Sequence, residues 1–112
     1  MSLPDLSDER AFRDEVARTL GALIRQLDEI DSDELDARLS EGNLTTSFER
    51  GGTFMLSQQT PTRELWLSAN LRAWHFRWSD GRWTERDSGE PMSEILGRLY
   101  SEKLGFSVRF DL

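Results

Sequence analysis

The chain has no cysteine among its 112 residues and a single histidine, His75. Without thiols there is no disulfide, no thiolate-bound metal and no cysteine nucleophile, and nothing points to an oxidising compartment. One histidine, with no serine in a Gly-x-Ser-x-Gly setting, assembles no nucleophile–base pair. Gly51-Gly52 lacks the spacing and following lysine of a phosphate loop and reads as a turn. No apolar run approaches the ~20 residues of a membrane helix, and residues 1–5 lack the basic start and apolar stretch of a secretory leader. The expected location is the bacterial cytoplasm. With no internal repeat or low-complexity tract, 112 residues suit one domain over 1–112.

Charge is present in quantity, but unevenly. The formal net charge is −7. Residues 1–49 hold thirteen acids against five bases, whereas residues 50–112 hold eight against nine. Such an acidic half repels nucleic-acid phosphates and anionic lipid, and attracts metal cations or a basic protein surface. Its centre is the run from Asp28 to Asp36, with carboxylates at Asp28, Glu29, Asp31, Asp33, Glu34 and Asp36 and no base among them.

Hydrophobic period sets the elements around that run. Phe12, Val16, Leu20, Leu23, Ile24 and Leu27 recur at steps of three and four, which predicts an amphipathic helix from Asp8 to Leu27 capped by Ser7. Leu35, Ala37 and Leu39 then alternate with Asp36 and Arg38, the period of a strand. Short strands follow over 44–49, 53–57, 63–68, 74–78 and 82–85, separated by Gly51-Gly52, a loop through Pro61 and Asp80-Gly81. A second helix is expected from Met92 to Leu104 with Gly105 as its stop, and the alternation of Phe106, Val108 and Phe110 predicts a tail packed back in extended form. This is an α+β order: two helices covering one face of an antiparallel sheet, whose other face meets solvent or a partner.

Two surfaces stand out. Carboxylates are hard ligands suited to calcium, magnesium, manganese and iron. Spread over a helix end, a turn and a strand, they cannot all converge on one ion, so the expectation is shallow, hydrated, weak sites. A solvated face that keeps the protein soluble is the plain alternative. The run lacks the central glycine and ligand order of an EF-hand. In the strand 63–68, Leu65 and Leu67 share one face, leaving Glu64, Trp66 and Ser68 on the other. In the next strand Trp74, Phe76 and Trp78 belong inside, with Ala73, His75 and Arg77 outside. An outward Trp66 flanked by polar groups is the make-up of an interface anchor, or else a tryptophan shielded by its neighbours. Glu94 and Glu102 read as solvated.

The stretch Gly42–Gly51 followed by Gln59-Thr60-Pro61-Thr62-Arg63-Glu64-Leu65-Trp66-Leu67-Ser68 resembles the central sheet of the frataxin family, whose signature is Gln-x-Pro before an aliphatic-Trp-Leu-Ser strand. Trp74-His75-Phe76, Asp87-Ser88-Gly89-Glu90, the helix start at Met92 and the ending Val108-Arg109-Phe110 are similar to bacterial members. The likeness runs from about Phe12 to Phe110.

The resemblance implies a frataxin-like two-layer α-β-α sandwich. It further implies a non-enzymatic protein of iron-sulfur cluster assembly that binds iron, Fe(II) or Fe(III), weakly through carboxylates. The partners it implies are a cysteine desulfurase and a scaffold protein, with the chain acting as iron donor, as regulator, or as both. The metal-binding ridge would be Asp28, Glu29, Asp31, Asp33, Glu34, Asp36 and Glu49. The partner face would be Trp66 and Gln59, with Ser57 and His75 as weaker matches. A monomer is expected, with iron-dependent oligomers as a variant. Arg13 and Arg25 stand where bacterial relatives carry a histidine and an acid, and Arg38 opposes the ridge, which would trim the metal sites. The rival functions are a ferroxidase that stores iron, for which the Glu-x-x-His pairs of di-iron bundles are missing, and a metal-independent interaction module.

Overall fold

A computed structural model of the chain describes residues 6–30 and 33–112. The first helix, α1 (Glu9–Asp28), buries Phe12, Val16, Leu20, Leu23 and Leu27 along one stripe, as their spacing requires. Its cap is Asp8 rather than Ser7: Asp8 is extended at φ −72°, ψ 128°, and its carboxylate accepts the Ala11 N–H at 3.0 Å. A charged acceptor at the positive end of the helix dipole does what a serine hydroxyl would do, with added electrostatic gain. The Ser7 carbonyl instead accepts a hydrogen bond from Arg63.

Six strands follow among the described residues: β1 (Leu35–Ser40), β2 (Asn43–Phe48), β3 (Thr53–Gln59), β4 (Glu64–Ala69), β5 (Arg72–Ser79) and β6 (Arg82–Glu85). They form one antiparallel sheet in chain order, β1-β2-β3-β4-β5-β6. Turn chemistry explains each reversal. Asp80 and Gly81 both lie at positive φ (52° and 81°), the twist that a two-residue hairpin needs. Asn70 and Leu71 take the same conformation at φ 50° and 63°, where leucine is a costly choice. Strand limits differ slightly from the sequence expectation. β2 stops at Phe48, leaving Glu49 in the turn, and β4 starts at Glu64 because Arg63 is left-handed (φ 56°) after a 3₁₀ turn at Thr60–Thr62.

The closing helix, α2 (Met92–Leu104), ends at Gly105 with φ 81°. Its buried Met92, Ile95, Leu96, Leu99, Tyr100 and Leu104 share one core with the inner stripe of α1 and with Leu44, Phe48, Phe54, Leu56, Leu65, Leu67, Phe76 and Trp83 of the sheet. Each such large side chain contributes about 1.5–3 kcal/mol of burial. Two buried hydrogen bonds tie the layers: Thr46 to the Tyr100 hydroxyl at 2.7 Å, and Trp83 Nε1 to Thr19 at 2.9 Å. The tail docks through Ser101, which both donates to and accepts from the Val108 backbone, and through paired bonds between Gln26 and Asp111. Val108 and Phe110 are buried, but Phe106 is 45% exposed, because the left-handed turn at Gly105 swings it off the core before the alternation resumes.

Candidate functional site

The acidic residues gather where α1 ends and β1 begins. Asp28 is the last residue of α1 and Glu29 its C-cap, both exposed. They sit at the negative end of the helix dipole, where acids destabilise and cations are favoured. Asp33 and Glu34 lead into β1, which carries Asp36; Asp31 lies outside the described residues. The Glu49 N–H donates to the Glu34 carbonyl at 2.8 Å, continuing the β1–β2 register and setting these two carboxylate residues side by side.

Part of this charge is answered internally. Arg38 pairs with Asp36 at 2.9 Å, and Arg50, unforeseen in the sequence, pairs with Glu34 at 3.0 Å. Arg13 pairs with Glu9 in the first turns of α1, fifteen residues and so roughly 22 Å along the helix from Asp28, too far to offset the ridge. Asp28, Glu29, Asp33 and Glu49 form no ion pair among the described residues. Nor do any three acid or histidine side chains there converge closely enough to enclose a metal ion. What this surface offers a cation is single carboxylates with water completing the shell.

The face of the sheet away from the helices carries the second surface. Ser57, Trp66 and His75 occupy one row across β3, β4 and β5, and Gln59 stands in the next row opposite Glu64. Trp66 is 37% exposed and stacks on His75, with ring centroids 4.5 Å apart and 32° between planes. Met55, 42% exposed and diagonal to Trp66, extends the apolar patch. It was missed in the sequence, although its parity on β3 matches that of Trp66 on β4.

Glu64 departs from expectation. Alternation places it on the solvent face, yet it is only 4% exposed. Its carboxylate accepts the Trp66 Nε1–H at 2.9 Å, and the guanidinium groups of Arg86 and Arg77 approach to 3.7 and 3.9 Å. It is covered by the tryptophan it orients, and the two arginines give its buried oxygens partners of opposite charge.

Residues 5–106 match the Frataxin-like domain family. The chain belongs to the frataxin family. Its curated relatives include iron-sulfur cluster assembly proteins named CyaY. The one from Pseudomonas fluorescens is 39% identical over 105 residues, covering 92% of this chain and 94% of its own. The one from Ralstonia nicotianae is 38% identical over 90 residues, covering 80% and 78%. Among solved structures, the frataxin from Psychromonas ingrahamii superposes with a TM-score of 0.86 at 18% identity, covering 94% of this chain and 99% of its own. A trimeric yeast frataxin complexed with ferrous iron gives 0.69 at 23%, covering 94% and 93%. At these identities the two structures bear on the fold, which this frataxin shares. No helix among its described residues is long and apolar enough to cross a membrane.

Proposed function

We propose that this frataxin is a cytoplasmic, non-enzymatic iron-binding protein of iron-sulfur cluster assembly, serving the cysteine desulfurase and its scaffold as iron donor, as regulator, or as both. The observation that carries the reading is a group of carboxylates, Asp28, Glu29, Asp33 and Glu49, that form no ion pair among the described residues, the first two standing at a helix C-terminus where the dipole disfavours an acid. The names of the bacterial relatives supply the process, and the ferrous complex of the yeast protein supports the ion. Iron is cargo here, held by carboxylates and water at Asp28, Glu29, Asp31, Asp33, Glu34, Asp36 and Glu49. The same field steers the protein toward a basic desulfurase surface. Trp66 supplies the directional contact, with Gln59, Ser57 and His75 around it.

An anaerobic Fe(II) titration followed by amide NMR, with desulfurase added second, tests this. The expected result is iron-dependent shifts confined to Asp28–Asp36 and Glu49, then desulfurase-dependent shifts that extend to Trp66. Desulfurase shifts without iron shifts leave an interaction module, and silence in both overturns the reading.

A further inference from the structure

The face of the sheet turned away from the helices changes sign from one edge to the other. By register, the outward positions of β3, β4, β5 and β6 carry a single acid, Glu64, and it is buried, whereas Arg77 and Arg82 point outward and are exposed. Arg86 follows β6 on the same side: its N–H donates to the His75 carbonyl at 2.8 Å, and its guanidinium stands 3.7 Å from Glu64. Two guanidinium groups therefore share the Glu64 carboxylate. Arg86 also reaches Asp87 at 3.6 Å, and Arg82 makes no ion pair among the described residues. In a chain whose net charge is −7, this patch presents an excess of positive charge to solvent. Trp66 borders it, and its geometry limits what it can offer. Its N–H already donates to Glu64 at 2.9 Å and its ring stacks on His75, so the part left exposed beside Met55 offers apolar contact and no hydrogen bond. The rows of Trp66 with His75, Glu64 with Arg77, and Ser79 with Arg82 follow one another along β5, a span of about 14 Å that an extended segment of about five residues covers.

We propose that this patch receives an acidic segment of a protein partner, with an apolar side chain set on Trp66 and Met55 and carboxylates set on Arg77 and Arg82. Charge complementarity selects the occupant: a basic segment would meet three guanidinium groups, and a neutral one would leave Arg82 unanswered. Nucleic acid offers phosphates to the arginines, but the net charge of the chain and its acidic ridge repel it. The proposal rests on the function put forward above and adds to it a second electrostatic contact of opposite sign. The acids of β1 and the arginines of β6 stand at the two edges of a six-stranded sheet, about 24 Å apart. A partner that engages both must carry a basic and an acidic surface at that separation, and the pair of contacts then fixes the orientation in which it docks.

The test is a low-salt titration of the full chain with a capped synthetic peptide of leucine and glutamate, read on the indole N–H and backbone amide resonances. The expected result is saturable shifts at Trp66, Arg77 and Arg82, with Trp78 and Trp83 unmoved and a dissociation constant on the order of 1 mM, usual for a ligand this small. Arg82→Glu, on an exposed residue with no ion pair to break, should weaken binding about fivefold. In a second arm the desulfurase with its scaffold replaces the peptide, and Arg82→Glu should lower the affinity by a similar factor. Peptide binding without any binding of the desulfurase and scaffold upholds the patch and removes the function it rests on. Binding of the desulfurase and scaffold that Arg82→Glu leaves unchanged keeps that function and overturns the patch. Absence of saturable peptide shifts, equal shifts with a leucine–lysine peptide, or tighter binding of oligouridylate also overturns it, the last in favour of a nucleic-acid surface. Shifts on dilution of the chain alone that move Trp66 together with Asp28 overturn it in favour of a second copy of the chain.

Discussion

Glu64 couples stability to the surface it underlies. Replacing it with alanine removes the acceptor of the Trp66 N–H and leaves Arg77 and Arg86 facing one another, a loss of about 1–3 kcal/mol. Glu64→Gln keeps an acceptor and should lose less. Urea denaturation of the two variants checks the order, and an equal loss would mean that the hydrogen bond contributes nothing. Tyr100 is a second buried polar group. Burial pushes its pKa up from 10.0 to about 12, against the opposing hydrogen bond from Thr46. A raised folded pKa means that its contribution is complete below pH 10 and lost as pH rises from 10 to about 12. Tyr100→Phe, which strands the Thr46 hydroxyl, should cost about 1 kcal/mol at pH 7 and progressively less across that alkaline interval. Glu85 has the opposite sign. Burial opposes its ionisation, but the backbone N–H groups of Ser88 and Asp87 outweigh that and lower its pKa below 4.5. Its stabilisation is therefore present above pH 4.5 and lost as pH falls below it, so the penalty of Glu85→Gln should shrink in acid.

At the scale of elements, the junction of α1 and β1 concentrates acids at the negative end of a helix dipole, where they cost stability. Cations that bind only the folded ridge should raise the melting temperature, and sodium chloride should do part of the same by screening. Arg50→Ala releases Glu34 from its ion pair. In low salt it should lower the melting temperature by about 2–3 °C and enlarge the rise that calcium or Fe(II) produces. A melting point indifferent to every cation would mean that the acids are already compensated. Much of this layout was legible in the sequence, because helical and strand periods are local properties. α1, α2 and the meander follow from the spacing of Phe12 to Leu27, Met92 to Leu104 and the turn residues. The details that escaped depend on neighbours remote in sequence or on close competition. Asp8 and Ser7 are both competent caps, and only chain direction chooses between them. Parity puts Glu64 on the outer face but does not reveal that Arg77 and Arg86 cover it. Arg50 reaches Glu34 only once β1 and β2 are in register.

For the whole molecule, the division of charge along the chain becomes a division in space, with acids at the β1 edge and the helix end, and arginines around the outer rows of β5 and β6. Association with a basic partner should therefore weaken sharply as the Debye length shrinks to about 8 Å at physiological ionic strength, measurable as a fall in on-rate. Neutralising Asp28 and Glu29 together should flatten that dependence, and Trp66→Ala should lower affinity without altering its salt response. The sheet order has one more effect. A meander that pairs each strand only with its chain neighbours leaves β1 with no second strand beside it among the described residues. Its open row of amides and carbonyls is a template on which another molecule could add a strand, and the like charges of Asp33, Glu34 and Asp36 make such an approach repulsive. On the proposed function, a cation that neutralised these carboxylates would lower that repulsion, and self-association should then rise with cation loading.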